Sequence, residues 1–346
     1  MVSPGLRSRK GRSWSTPRRE VARRIHGCWR TDAMLGKTAN GLFWMSRYLE
    51  RAENTARLIE TGQRIALTRL GSAEDEWVSI LQSAGSLGGF REAYDTHGQD
   101  AAVDWMLRGK DNPSSIMSSI ASARQNARLV RAAITGEVWE AINATYMTAS
   151  DLLARKVSAR DLPDVLASIR QHTALMRGMV HGTMLRNDIY DFLRIGTFLE
   201  RADNTARILD VKYYVLLPSV SAVGSSIDNV QWESILRSVS ARGGFRMEYG
   251  ADGGPQEIAH FLIFDKRMPR SLAFCVSKIK DNLRYLNAGQ PTPSPSQELV
   301  THLENTYLSH GIEEVFDYGL HEFIEKMLEL LLELAHQIQL DYRFYE

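Results

Sequence analysis

From Lys37 to about Leu70 the apolar positions recur with the period of an amphipathic helix. At about 100° per residue, Ser46, Glu50, Glu53, Asn54, Arg57 and Glu60 share one arc. Met45, Tyr48, Leu49, Ala52, Ala56 and Ile59 share the opposite one. Arg51 falls between Trp44 and Leu58 at the edge of the apolar arc, where a guanidinium must snorkel or find a partner. Gly71-Ser72 reads as the stop of this helix. Similar spacing predicts helices over Glu74 to Ala84, around Ala101 to Leu107, from a cap at Ser114 to about Ala133, over Glu137 to Lys156, and over Leu162 to Met184. Gly85-Ser86-Leu87-Gly88-Gly89 reads as a break, and without a following Gly-Lys-Ser/Thr it is not a phosphate loop.

The second half replays this order. Tyr48-Leu49-Glu50-Arg51-Ala52-Glu53-Asn54-Thr55-Ala56-Arg57-Leu58 returns 150 residues later as Phe198-Leu199-Glu200-Arg201-Ala202-Asp203-Asn204-Thr205-Ala206-Arg207-Ile208. Trp77-Val78-Ser79-Ile80-Leu81 returns as Trp232-Glu233-Ser234-Ile235-Leu236, and Gly88-Gly89-Phe90-Arg91 as Gly243-Gly244-Phe245-Arg246. Pro269-Arg270-Ser271-Leu272 answers Pro113-Ser114-Ser115-Ile116. A last helix from about Glu313 to Asp341 matches the one ending near Met184. No alternating Val/Ile/Thr runs between turn pairs suggest strands. The expected fold is therefore all-α: a helical bundle built by tandem duplication, with repeats over about 34–186 and 187–346 and pseudo-twofold symmetry that brings the two signature helices together.

A face that merely touches water is free to change between two copies, yet here the polar arc is kept as closely as the apolar one. Both polar faces should therefore look at something. One reading is a buried ionic network, with Glu53→Arg57 and Asp203→Arg207 as favourable i,i+4 pairs. The other is a ligand or catalytic site lined by Glu50, Arg51, Glu53, Asn54 and Arg57 with Glu200, Arg201, Asp203, Asn204 and Arg207. Arg57, Arg207, Arg91 and Arg246 could hold an anion through guanidinium forks. A di-iron bundle site needs Glu-x-x-His, and neither signature Glu has that His, so no metal and no cofactor is expected. The histidines form no motif; His181, near the second signature, reads as structural.

Composition narrows the class. With 44% apolar and 24% charged residues, the 346-residue chain is ordinary for a globular protein. Net charge is +1, but residues 1–33 hold nine Lys/Arg against two Asp/Glu, which leaves −6 on the remainder. The acidic body argues against nucleic acid as the general partner, although the basic arm could reach anionic ones. Residues 1–33 lack an apolar core and are expected to be a disordered extension, with Met34 as the working start. The two cysteines, Cys28 and Cys275, make no CxxC, and no run reaches membrane-spanning length, so a cytoplasmic location is expected and no membrane partner.

The stretch from Met34-Leu35-Gly36-Lys37-Thr38-Ala39-Asn40-Gly41-Leu42-Phe43-Trp44 through Arg57 resembles the opening of the bacterial alpha-E domain proteins, all-helical and marked by a Glu-Arg motif. Phe198 through Tyr213 resembles the family's second motif. The resemblance covers Met34 to the C-terminus and carries the motif onto Glu50-Arg51 and Glu200-Arg201 only. It implies genes beside circularly permuted ATP-grasp ligases, transglutaminase-like proteins and proteasome-like peptidases, hence a role in a cytoplasmic peptide-forming or peptide-modifying system. No reaction comes with it, and the oligomeric state stays open. The function expected is an accessory subunit that binds the ligase or its peptide. The alternative is an enzyme acting on peptides or amino acids through the signature residues.

Overall fold

Two long helices, α1 (Asp32–Thr68) and α8 (Asp188–Leu216), run side by side through the molecule, and the remaining helices pack around them. The computed structural model describes residues 32–68, 73–95, 98–216, 226–250 and 253–345. Cys28, His97, the Gly71-Ser72 stop and residues 1–31 of the extension expected to be disordered over 1–33 lie outside them, whereas Asp32 and Ala33 of that stretch begin α1.

After α1 come α2 (Ala73–Ser83), α3 (Leu87–Ala93), α4 (Gln99–Arg108), α5 (Ile116–Leu129), α6 (Gly136–Leu152) and α7 (Leu162–Thr183). After α8 come α9 (Ser226–Ser238), α10 (Arg242–Tyr249), α11 (Pro255–Ile263), α12 (Leu272–Leu286), α13 (Pro295–Tyr307), α14 (Ile312–Tyr318) and α15 (Leu320–Asp341). Among the described residues there is no strand, and the fold is all-α.

α5 and α7 pack on α1, as α12 and α15 pack on α8. The second helix of each half also crosses over: α2 touches α8, and α9 touches α1. The long helices are thus enclosed on several sides. This is why the polar arc of α1, with Ser46, Glu50, Glu53 and Asn54, is as buried as Met45, Ala52, Ala56 and Ile59 opposite it. α1 and α8 approach closely at Gly196, where a Cβ would run into the Phe43 carbonyl and the Ser46 hydroxyl.

Several boundaries differ from the sequence reading. The break after α2 is narrower than the glycine run. Gly85, at φ +65°, ends the helix, and the Ser86 N–H donates to the Leu81 carbonyl at 2.9 Å. Gly88 and Gly89 already belong to α3, and Gly89 lies against Trp105, which a Cβ would approach to 3.2 Å. Phe90 stacks on Tyr94 and meets Trp105 edge-on; Phe245, Tyr249 and Phe261 repeat the cluster. The cap of α5 is Ser115, whose hydroxyl accepts from the Ser118 N–H at 3.2 Å; α5 ends at Leu129 and α6 at Leu152. The single last helix expected from Glu313 is two, split at Gly319, whose φ of +109° leaves the helical region.

Candidate functional site

The signature residues meet between α1 and α8, and each Glu-Arg dipeptide reaches across to the other. Arg201 donates to both Glu50 oxygens, Nε at 2.8 Å and Nη2 at 3.0 Å. Arg51 does the same to Glu200, Nε at 2.5 Å and Nη2 at 3.0 Å. Glu50 and Glu200 are buried, with 2% and 4% of their surface exposed. Arg51, at the edge of the apolar arc, thus finds its partner in the other half.

The rest of the motif closes the joint. Ala52, Ala56, Ala202 and Ala206 are wholly buried at the small-residue positions. The Thr55 hydroxyl donates to the Ser114 carbonyl at 3.4 Å, and the Thr205 hydroxyl to the Arg270 carbonyl at 2.7 Å. Each threonine therefore ties its long helix to the loop that precedes α5 or α12. Arg57 chelates Glu53 through Nε at 3.0 Å and Nη2 at 2.7 Å, and Arg207 chelates Asp203 at 2.8 and 3.3 Å. Asn204 is buried, and the Oδ1 of buried Asn54 accepts from Arg270 at 3.1 Å.

Three arginines that the repeat does not flag complete the network. Arg47 donates to Glu200 at 2.8 Å. Arg270 reaches Glu50 at 3.2 Å and Glu53 at 2.8 Å. Arg177, from α7, contacts Glu50 at 3.4 Å and also pairs with Glu53, which accepts a further bond from Thr173 at 3.2 Å. Arg47 was legible, one helical turn before Arg51. Arg270 was not, because Ser114 stands at the corresponding place in the first half. The network is therefore uneven. Glu53 is fully enclosed, whereas the Asp203 and Arg207 side chains keep 27% and 38% of their surface.

Arg91 is solvent-exposed on α3. Arg246 is exposed on α10, 3.7 Å from Glu233. In both copies the phenylalanine before it turns inward, which carries the arginine outward on a helix. Neither touches a signature residue, so the four-arginine anion site is not assembled as the sequence suggested.

The electrostatics follow from enclosure. Burial alone would raise the Glu50 carboxyl, but the guanidinium of Arg201, then that of Arg270, holds it well below the usual carboxylate range. Burial and the charge of Glu50 push Glu53 up, and Arg270, Arg177 and Arg57 bring it down overall. Glu200 is lowered by Arg47 and Arg51 against the same burial penalty. Arg270 is pulled by burial to about 10 and stays charged at neutral pH. The three enclosed acids, Glu50, Glu53 and Glu200, therefore keep their negative charge at neutral pH.

An acid-stability prediction follows. These folded-state carboxyls lie below their unfolded values near 4.5. The stability they contribute is therefore complete above that pH and is lost as pH falls through the lowered values. Asp191 acts oppositely, because burial and Asp188 raise it to about 6. It opposes folding when ionised and is relieved below that pH. The urea midpoint should fall steeply between about pH 5 and pH 3. A midpoint that is flat or rising over that range contradicts the assignment.

Among the described residues no group of three or more His, Cys, Asp or Glu is placed to hold a metal ion, and no helix is long and apolar enough to cross a membrane. Comparison with known proteins adds a family. A family model described as a predicted alpha-helical domain with a conserved ER motif matches residues 34–342. The chain is also similar to uncharacterized proteins of Mycobacterium bovis and of Mycobacterium tuberculosis strains CDC 1551 and H37Rv. Each is 24% identical over 324 residues, covering 87% of this chain. The matched region is 36% of each relative, so the chain spans about a third of the length of the curated relatives it matches. No solved structure matches it.

Proposed function

The chain belongs to the Alpha-E family, and on that premise we propose that it is a non-catalytic helical accessory subunit of a cytoplasmic, ATP-grasp-dependent peptide-forming or peptide-modifying system. It binds a circularly permuted ATP-grasp ligase or the ligase's peptide; a transglutaminase-like protein is a further candidate partner. The observation that carries the non-catalytic part is the saturation of the two Glu-Arg carboxylates, Glu50 and Glu200. Glu50 and Glu200 each accept a two-pronged arginine from the opposite long helix. An acid or base catalyst needs a carboxyl with a free oxygen and a pKa near the working pH, and Glu50 and Glu200 offer neither. The same pairs suit a joint that holds two halves in one register. In the mycobacterial relatives the matching region shares its chain with other sequence, which supports a module that works beside another component.

The test is reconstitution. The chain and the ATP-grasp protein encoded beside it are co-expressed with a tag on one of them. A complex that survives gel filtration is expected, with ligase product formed only when both are present and no turnover by the chain alone. Turnover by the chain alone, or full ligase output in its absence, contradicts the proposal.

A further inference from the structure

A cleft between α1, α7 and α8 carries more positive charge than the acids around it neutralise. Its volume is about 40 Å³, and Glu50, Arg177, His181 and Arg194 line it together with Met45, Leu49 and other apolar side chains. Glu50 is already occupied by Arg201 and Arg270. Arg177 shares Glu53 with Arg57 and Arg270. Arg194 has no carboxylate within ion-pair distance among the described residues. It lies over the Phe198 ring, 4.2 Å from its centre, and donates to His181 Nε2 at 2.8 Å. Arg186 stacks on Tyr190 at 4.0 Å and gives its N–H groups to the carbonyls of Met184 and His181. His181 is neutral here. Its Nε2 accepts from Arg194, its Nδ1 faces the Tyr190 hydroxyl at 2.9 Å, and burial followed by Arg194 and Arg186 lowers its pKa.

We propose that this cleft binds the terminal carboxylate of a peptide between Arg177 and Arg194. A carboxylate is planar and matches the fork of a guanidinium. The volume admits the head group and little beyond it, so the rest of the ligand lies outside, as a chain end does. The apolar lining strengthens a charge-assisted bond by excluding water. The site deepens the peptide-binding branch of the function proposed above and rests on that branch.

The test uses the full chain without any ligase. N-acetyl-trialanine and its C-terminal amide are titrated by calorimetry against the natural chain, Arg194→Gln, Arg194→Lys, and the exposed control Arg284→Gln. The free acid should bind at least about tenfold more tightly than the amide. Arg194→Gln should lose about tenfold or more for the acid at an unchanged unfolding midpoint. Arg194→Lys should recover part of that loss, and Arg284→Gln should match the natural chain. Equal affinity for acid and amide, no binding of either, undiminished binding by Arg194→Gln, or tighter binding of inorganic phosphate than of the acid each overturns the site. Because no ligase is present, a failure here with an intact ligase complex removes the cleft and leaves the subunit role. Peptide binding without any ligase complex does the reverse.

Discussion

Glu53→Gln lowers the stability of the chain by about 3–5 kcal/mol, the scale of an uncompensated buried charge. Glu53 is fully enclosed and accepts from Arg57, Arg177, Arg270 and Thr173. The amide removes the anion and leaves the largely enclosed guanidiniums of Arg57 and Arg270 facing one another without it. The corresponding change in the second half, Asp203→Asn, should cost under about 1 kcal/mol, because that pair is partly solvated and has one arginine. Urea denaturation of both variants measures the difference. Equal losses would show that the two halves carry their charges alike, against the geometry.

Gly196→Ala is the second large effect, and its sign runs against helix propensity. In an open helix, alanine is better than glycine by about 1 kcal/mol. At Gly196 the new Cβ meets the Phe43 backbone carbonyl, which cannot rotate away, as well as the Ser46 hydroxyl. α1 and α8 must then separate where the paired dipeptides need them close, for a net loss of about 1–3 kcal/mol. Gly178→Ala, in α7 with no atom near its Cβ, should instead gain about 0.5–1 kcal/mol. Thermal unfolding of the two variants decides it: shifts of the same sign would mean that helix propensity, not the helix contact, governs Gly196.

The helices and the inward orientation of the polar arcs were legible in the sequence because the repeat supplied a second reading of the same pattern. Two copies that both keep Glu, Arg, Glu/Asp, Asn and Arg imply a constraint that solvent does not impose. The need of Arg51 for a partner was likewise legible from its place beside Leu58. The partners from distant segments were not. Arg177 sits on a helix whose own polar face gives no sign of reaching another, and Arg270 occupies a position where the first half has Ser114. Arg91 and Arg246 drew attention through the repeat, but what the repeat keeps there is the buried Phe90 and Phe245. Gly88-Gly89 misled because glycine reads as a break, whereas here Gly89 lets Trp105 lie against a helix. The cleft beside His181 left no sequence signal, since its arginines come from α7 and α8, in different halves of the chain.

A buried ion pair adds little net stability compared with well-packed apolar residues, yet losing one partner is expensive. A clamp of that kind is therefore better at fixing how two helices meet than at raising stability. The measurement that tests it most directly is a double-mutant cycle on Glu50 and Arg201, using Glu50→Leu, Arg201→Leu and the double variant in urea. Each single change should cost several kcal/mol, and the pair should be coupled by about 2–3 kcal/mol, with Arg270 still held by Glu53 in the double variant. Single effects that add to within about 0.5 kcal/mol would mean the two residues act independently, and the clamp across α1 and α8 would not exist.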